Sequence, residues 1–288
     1  MGRLPPLDGP PWLGGAVGTF AECVLAPNPS PMTLDGTNTW ILHDDSHAAI
    51  VDPGPAAVSH QQAILAALER GPWQPTAVLV THRHLDHAES APQLAAYLRV
   101  PLHLPDTSTR SDVGSVRGSA VSGSAVYEIG DLVVDVLRTP GHTADSACLL
   151  LRDHQVLLTG DTVLGRGTSV IDPEDGSLLD YLASLERLQE RAQGLFMLLP
   201  GHGPVLDDPV DVIAGYLAHR HARLDEVRAA LAAGAGTVSD VRERIYGHLD
   251  PTLTPAATWS VLAQLDYLVR IGELDADALT DDGSANRS

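Results

Sequence analysis

Long uninterrupted apolar runs are missing from this sequence of 288 residues. A segment that crosses a membrane needs roughly 20 consecutive apolar residues, and no stretch approaches that length. The start, MGRLPPLDGPPWLGG, has neither the basic region nor the apolar run of a secretory signal. The sequence therefore predicts a cytoplasmic protein without a membrane segment.

Cysteine and positive charge are also scarce. The two cysteines, Cys23 and Cys148, lie far apart in apolar surroundings, which favours reduced core residues over a disulfide framework or a cysteine zinc cluster. Lys plus Arg total 18 against 37 for Asp plus Glu, so the formal net charge is -19. The average field of such a surface repels polyanions, and this disfavours RNA as a partner.

The order of the predicted elements indicates a layered α/β protein. Two groups of short apolar strands are interrupted by amphipathic helices, which favours sheet packed on sheet. Residues 106–124 are rich in serine and glycine and predict a long loop. Strand signals then disappear, so we predict a catalytic domain over 1–205 and a small helical region over 206–288 that ends in a disordered tail.

One stretch of seven residues, THRHLDH at 81–87, directly follows the predicted strand TAVLV. Imidazole and carboxylate groups are good ligands for zinc and similar divalent ions. Alternate residues at the end of a strand project the same way, so His82 and His84 can share one ion while Asp86 and His87 face a second. A polar turn that is rich in histidine by chance is the alternative interpretation.

Two metal ions need more ligands than these four side chains provide. Three later loops offer them, with His142 in TPGHT, Asp161 in LTGDT and His202 in LPGHGP. Each follows an apolar strand and stands beside a glycine, where the backbone can turn tightly and several loops can converge at one rim. Together with THRHLDH, these loops predict a metal site.

The sequence also resembles a known family, the metallo-β-lactamase superfamily. THRHLDH matches the HxHxDH signature of that family over seven residues. VDPG, TPGHT, TGDT and PGHG match its further motifs in the same order, and the resemblance covers about residues 25–220. It implies an αββα sandwich with a dinuclear site at one edge.

The ligand set that this resemblance implies has two halves and a bridge. One ion takes the first set of side chains: His82, His84 and His142. The other ion takes the second set: Asp86, His87 and His202. Asp161 bridges the two ions, and Asp52 has a structural role beneath the site. The implied cofactors are two zinc ions per chain, with iron or manganese as alternatives.

A closer likeness joins the sequence to the β-lactamase-like-protein-2 group of that superfamily. It rests on NPSPMTLDGTNTWIL, LTGDTVLGRGTSVI and YLAHR. Animal members of the group are mitochondrial endoribonucleases that act on single-stranded RNA, and fungal polyketide thioesterases share much of the same pattern. The likeness therefore implies a hydrolase and leaves the substrate open.

Further side chains are candidates for catalysis and substrate binding. We predict that Asp86 orients the nucleophile and carries its proton. Tyr216, His219 and Arg220 share one face of a predicted helix, where His219 can donate a proton and the other two, with Asn38, can bind substrate. The alternative places Tyr216 in the core, pairs Arg220 with an acidic residue and makes Asn38 a turn residue.

These observations predict a dinuclear zinc hydrolase in which a metal-bridging hydroxide attacks an ester or thioester of a small or carrier-bound metabolite. A single-strand-specific endoribonuclease is the alternative, favoured by the closer likeness and by C-terminal helices that resemble a reduced winged-helix unit. A diiron redox protein is a third hypothesis, disfavoured because no flavodoxin-type extension is present. We expect a monomer or a homodimer.

Overall fold

The computed structural model describes residues 2–105, 125–171 and 174–275. The predicted loop at 106–124 and the predicted disordered tail at 280–288 lie outside the described residues. The strands of the described chain are β1 (Gly15–Val17), β2 (Ala21–Leu25), β3 (Asn38–His43), β4 (His47–Val51), β5 (Gln74–Leu79), β6 (Leu102–His103), β7 (Val126–Ile129), β8 (Leu132–Arg138), β9 (Ala147–Leu151), β10 (Val156–Gly160) and β11 (Met197–Pro200). Its α-helices are α1 (Val58–Arg70), α2 (Leu85–Ala88), α3 (Ala91–Leu98), α4 (Leu178–Ala192), α5 (Pro209–Ala232), α6 (Val238–Tyr246) and α7 (Thr254–Arg270), and one 3-10 turn spans Pro251–Leu253.

The strands form two mixed sheets. The first sheet has the order β1-β2-β3-β4-β5-β6, antiparallel from β1 to β4 and parallel from β4 to β6. The second has the order β11-β10-β9-β8-β7, in which only the β10–β11 pair is parallel. Strands β3 and β4 form a hairpin in which Trp40 and Val51 lie opposite each other.

Apolar side chains from both sheets fill the space between them. Trp40, Val51 and Leu79 of the first sheet share one buried cluster with Leu149 and Leu158 of the second. Helices α1 and α3 cover the outer face of the first sheet, and α4 to α7 cover the outer face of the second. Because each sheet buries both faces, the chain is an αββα sandwich, and the predicted fold is confirmed.

The helices after residue 206 form part of the outer layer on the second sheet. Ile213 of α5, Val241 of α6 and Val261 of α7 belong to the same buried cluster as Leu157 of β10 and Leu185 of α4. Residues 206–275 contain helices and no strand. The division into two domains at 205/206 stays a prediction. No helix of the described chain is long and apolar enough to span a membrane.

His60 links helix α1 to the first sheet. Its ring is buried, and Nε2 lies 2.8 Å from the hydroxyl of Thr39. That hydroxyl donates to the carbonyl of Asp52, so it accepts from His60, and the proton of the neutral ring lies on Nε2. Nδ1 is buried without a hydrogen-bond partner in the described chain. Protonation would therefore place a charged, unpaired N–H group in the core.

The burial of the His60 ring should make the stability of the protein depend on pH. Burial lowers the pKa of His60 from its ordinary value to about 4. The unfolded chain takes up the proton first as the pH falls, so the folded state loses up to about 3 kcal/mol between about pH 6.5 and pH 4. His60→Gln cannot be protonated, and we expect it to flatten this loss in urea unfolding of the metal-free protein. The exposed His248, changed to Gln, is the control and should leave the slope unchanged.

Candidate metal centre and active site

Four loops at one edge of the sandwich carry the predicted metal ligands. The segment 81–87 follows β5, and the three single ligands follow β8, β10 and β11. Backbone hydrogen bonds tie these loops together, from Ala147 to Thr81 at 2.9 Å and from Gly201 to Gly160 at 2.8 Å. Gly141, before His142, has a φ of 147°, and an added Cβ would lie 2.6 Å from the nitrogen of Tyr181, so this turn requires glycine.

The first group of donors surrounds the ring of His84. Its Nδ1 lies 3.1 Å from Nε2 of His82 and 3.1 Å from Nε2 of His142. The three rings meet edge to face, with centroids 4.7 to 5.0 Å apart. This arrangement directs three imidazole nitrogens at one point.

The second group joins two rings and a carboxylate. Nε2 of His87 lies 3.2 Å from Nε2 of His202, and Oδ2 of Asp86 lies 3.2 Å from the same His202 nitrogen. Asp161 lies between the groups, because its carboxylate is 3.4 Å from His87, 3.3 Å from His202 and 3.7 Å from His142. The structure thus brings all seven predicted donors together.

The donor set fits divalent cations. Two ligand atoms that each lie about 2.1 Å from a tetrahedral zinc ion are about 3.4 Å apart. The nitrogen pairs at 3.1 and 3.2 Å and the nitrogen–oxygen pairs at 3.2 to 3.5 Å come close to that spacing. In addition, Oδ1 of Asp161 is buried and has no hydrogen-bond partner in the described chain, which is rare for a carboxylate oxygen. A cation would satisfy it.

Outer partners orient the imidazole rings toward the cluster. Nδ1 of His142 donates to the carbonyl of Val170 at 2.6 Å, and Nδ1 of His202 donates to that of Gly36 at 3.1 Å. Nδ1 of His87 donates to Asp52 at 2.9 Å. A ring that carries its proton on Nδ1 presents the Nε2 lone pair to the cluster, which is the form that binds a metal.

Asp52 itself is held in an unusual backbone conformation. Its φ is 51°, in the left-handed region that side chains rarely adopt. Its carboxylate accepts the backbone N–H and the hydroxyl of Thr81, both at 2.7 Å, as well as the His87 ring. Asp52 therefore fixes the start of the 81–87 segment from below, in agreement with the structural role that the resemblance implies.

The pKa values of the histidines differ between the first and the second donor group. Burial lowers the pKa of His82 and of His142, so both rings stay neutral. Burial alone would also lower the pKa of His87 and His202, but the carboxylates around them, Asp161 first, raise both, that of His202 to about 10. These histidines in turn hold the pKa of Asp161 well below its usual value, against the effect of burial. The second group therefore attracts positive charge.

The candidate substrate residues are buried in the structure. Asn38 is buried, and its amide donates to the carbonyls of Pro200 and Gly203 at 2.9 and 2.8 Å. The hydroxyl of Tyr216 is bound to the backbone of Leu164 in the core. Asn38, Tyr216 and Arg220 are all buried, which disfavours contact with a substrate. Their role in substrate binding stays a prediction.

His219 is half-buried, and no hydrogen bond or ion pair joins it to the cluster in the described chain. Burial and then the charges of Arg220 and Arg223 lower the pKa of His219 to about 4. The ring is therefore neutral at pH 7, and a neutral imidazole is a poor proton donor. Its catalytic role stays a prediction.

Arg220 connects the helical layer to the first donor group. Its guanidinium lies over the ring of Tyr181, 4.9 Å from the centroid, and donates to the carbonyl of Ser169. The hydroxyl of Ser169 lies 3.2 Å from Nδ1 of His142, whose main acceptor is the next carbonyl, that of Val170. Arg220 therefore positions the segment that orients His142.

Removal of this support should weaken metal binding. Arg220→Met keeps most of the apolar stem but loses the bond to Ser169, and we expect it to lower the affinity for zinc about tenfold. Zinc titration against a competing chelator measures the change. Arg223→Met is the control, because Arg223 pairs with Glu226 on the same helix. Equal affinities in the two variants would contradict the role given to Arg220.

A cleft adjoins the cluster at His142 and Asp161, and the sequence analysis missed its other walls. Its apolar lining includes Leu7, Met32 and Leu34. Met32 and Leu34 lie within NPSPMTLDGTNTWIL, but an apolar side chain in a motif does not by itself indicate a substrate site, and Leu7 lies in no motif. For Leu7, the signal that could have drawn attention is its position as an apolar residue in the proline-rich start of the chain.

Fold and site together define the class of protein. Imidazole and carboxylate donors that converge at one edge of an αββα sandwich are those of a metal-dependent hydrolase. The family model described as "Metallo-beta-lactamase superfamily" matches residues 32–202. The chain belongs to this superfamily and is one of its hydrolases, which confirms the predicted family and enzyme class.

Comparisons with individual proteins agree with this assignment. The chain is 29% identical over 245 residues to an atrochrysone carboxyl ACP thioesterase of Aspergillus fumigatus, a match that covers 78% of this chain and 73% of that protein. It is 28% identical over 256 residues to a beta-lactamase-like protein 2 homolog of Caenorhabditis elegans, with 88% and 85% covered. A crystal structure of a beta-lactamase domain protein from Burkholderia ambifaria is similar in fold, with a TM-score of 0.75 at 24% identity over 92% and 91% of the two chains.

Proposed function

We propose that the protein is a dinuclear zinc-dependent hydrolase that cleaves an ester or thioester of a small or carrier-bound metabolite. The observation that carries this proposal is the position of the Asp161 carboxylate, within 3.7 Å of imidazole nitrogens from both donor groups. Two zinc ions held by these groups would lower the pKa of a shared water from about 16 toward about 7 and so supply hydroxide at neutral pH.

The chain's own residues would position that reaction. Asp86 is partly open to solvent, with 29% of its side chain exposed, and its Oδ2 accepts from the Thr37 hydroxyl at 3.4 Å. An exposed carboxylate at the rim can orient the attacking water and accept its proton. His82 and His142, neutral and buried, serve only to hold the site.

The cleft beside the cluster favours an acyl substrate over RNA. Its lining is mainly apolar in the described chain, and its arginine, Arg166, is already bound to the carboxylate of Asp35 and the carbonyl of Pro10. RNA binding draws much of its affinity from cations that neutralise phosphate, and a net charge of -19 works against it. The relative named as an ACP thioesterase supports a carrier-bound thioester.

The test compares both substrate classes on one preparation. Zinc-loaded protein is incubated with acyl thioesters and, separately, with labelled single-stranded RNA, and its zinc content is measured. We expect two zinc ions per chain and hydrolysis of thioesters, with both lost in His82→Ala. RNA cleavage at low enzyme concentration that is lost in the same variant would replace this proposal with the endoribonuclease. The cytoplasmic location and the oligomeric state stay predictions.

A further inference from the structure

The first residues of the chain cross the surface as an anchored strap, defined here as residues 2–12. At one end, the N–H of Arg3 donates to the carbonyl of Asp211 at 2.9 Å, and the strap packs so closely on α5 that a Cβ at Gly215 would lie 2.5 Å from the carbonyl carbon of Arg3. At the other end, the indole N–H of Trp12 donates to Asn38 at 2.8 Å. The strap is thus fixed to both the helical layer and the first sheet.

Arg166 fastens the middle of the strap. Its guanidinium donates to the carbonyl of Pro10 and to the carboxylate of Asp35, and Gly9 lies against the same side chain. Both terminal amino groups of the guanidinium, Nη1 and Nη2, are therefore hydrogen-bonded within the protein. Arg166 therefore holds the strap in place, and the carboxylate of Asp35 balances its charge.

Leu7 lies between these anchors and lines the cleft beside His142 and Asp161. A Cβ at Gly167 would lie 2.8 Å from Cδ2 of Leu7, so the leucine is held directly over the loop that follows Asp161. Even so, 79% of Leu7 is exposed, and Met32 on the same cleft is 45% exposed. Among the residues that the structure describes, none covers the exposed apolar surface of these two side chains, which is held in place next to the donor groups.

We propose that the strap forms one wall of an acyl-binding subsite and that Leu7 determines specificity for apolar acyl groups. This inference rests on the proposed ester or thioester hydrolase. The strap precedes residue 32, where the match to the family model begins. An apolar acyl chain that enters the cleft covers Leu7 and Met32, and this burial favours longer chains over acetyl.

The first test measures selectivity for chain length. The value of kcat/KM is determined for N-acetylcysteamine thioesters from acetyl to octanoyl, with the wild type, Leu7→Ala and Leu13→Ala. Leu13 is the matched control, because it is 81% exposed in the same N-terminal region and does not line the cleft. We expect Leu7→Ala to reduce the preference for octanoyl over acetyl about fivefold to tenfold, mainly through KM, while Leu13→Ala matches the wild type.

A second readout separates the subsite from the reaction. Binding of the thioether S-octyl-N-acetylcysteamine, which cannot be hydrolysed, is measured by calorimetry on the metal-free protein. Weaker binding in Leu7→Ala than in Leu13→Ala supports the subsite, whether or not any thioester is cleaved. If no thioester is cleaved, that result counts against the proposed function and not against the subsite. Cleavage of thioesters with the same chain-length preference in all three proteins would overturn the subsite.

Discussion

Alanine in place of Asp161 is expected to lower kcat/KM at least about a thousandfold and to reduce bound zinc to one ion per chain or fewer. The reason is the position of this carboxylate, which lies within 3.4 Å of His87 and His202 and within 3.7 Å of His142. Without the Asp161 carboxylate, each donor group keeps its own three donors, but no side chain connects the two groups. Zinc content by mass spectrometry and steady-state rates on a thioester measure the effect.

Asp44→Ala is the matched control for that experiment. Both carboxylates are 11% exposed, but Asp44 accepts N–H groups of the β3–β4 turn and of Asp131, far from the cluster in the fold. We expect this variant to lose stability and to keep its zinc. If Asp161→Ala bound two zinc ions as tightly as Asp44→Ala does, the bridging role of Asp161 would be refuted.

Gly201→Ala is expected to damage the site with little effect on the fold. A Cβ at this position would collide with Oδ1 of Asp161 and lie 2.7 Å from Cε1 of His87. Because φ of Gly201 is outside the left-handed region, the backbone conformation accepts alanine, and the closest conflicts are with the two donors, ahead of a contact of 3.1 Å with the carbonyl carbon of Gly160. We expect the zinc affinity to fall about a hundredfold, measured by competition with a chelator.

Gly194→Ala shows whether an added methyl group is harmful in itself. Gly194 also has an ordinary φ, and its nearest neighbours to a Cβ are Gln155 at 3.4 Å and a backbone oxygen at 3.6 Å, so the methyl group fits. Thermal unfolding should be similar for both variants in the metal-free state. A Gly201→Ala protein that binds zinc like Gly194→Ala would mean that the donors move aside without cost.

The metal ligands were accessible from the sequence because each one lies in a short motif at the end of a strand. His82 to His87 carry their chemistry within one segment, and the demand for further ligands led to His142 and His202. The outer partners were not accessible in the same way. Val170 and Gly36 act through backbone carbonyls, which every residue has, so no residue type marks them.

The sequence was less informative where one pattern is compatible with two environments. Tyr216 and Arg220 share a helix face, and that spacing is the same whether the face points to a substrate or to the core. The structure buries both. The sequence pattern does not indicate the short strands β1, β2 and β6, which depend on pairing with neighbouring strands such as β3 and β5.

The donor loops come from both sheets of the sandwich, since β5 lies in the first sheet and β8, β10 and β11 lie in the second. The ligands therefore meet only when the two sheets are assembled, and an unfolded chain scatters them. By mass action, the proposed zinc ions would stabilise the assembled state further by about 1.4 kcal/mol per site for each tenfold rise in free zinc above the dissociation constant. In a cell, zinc supply would then govern how long the chain survives proteolysis as well as how fast it works.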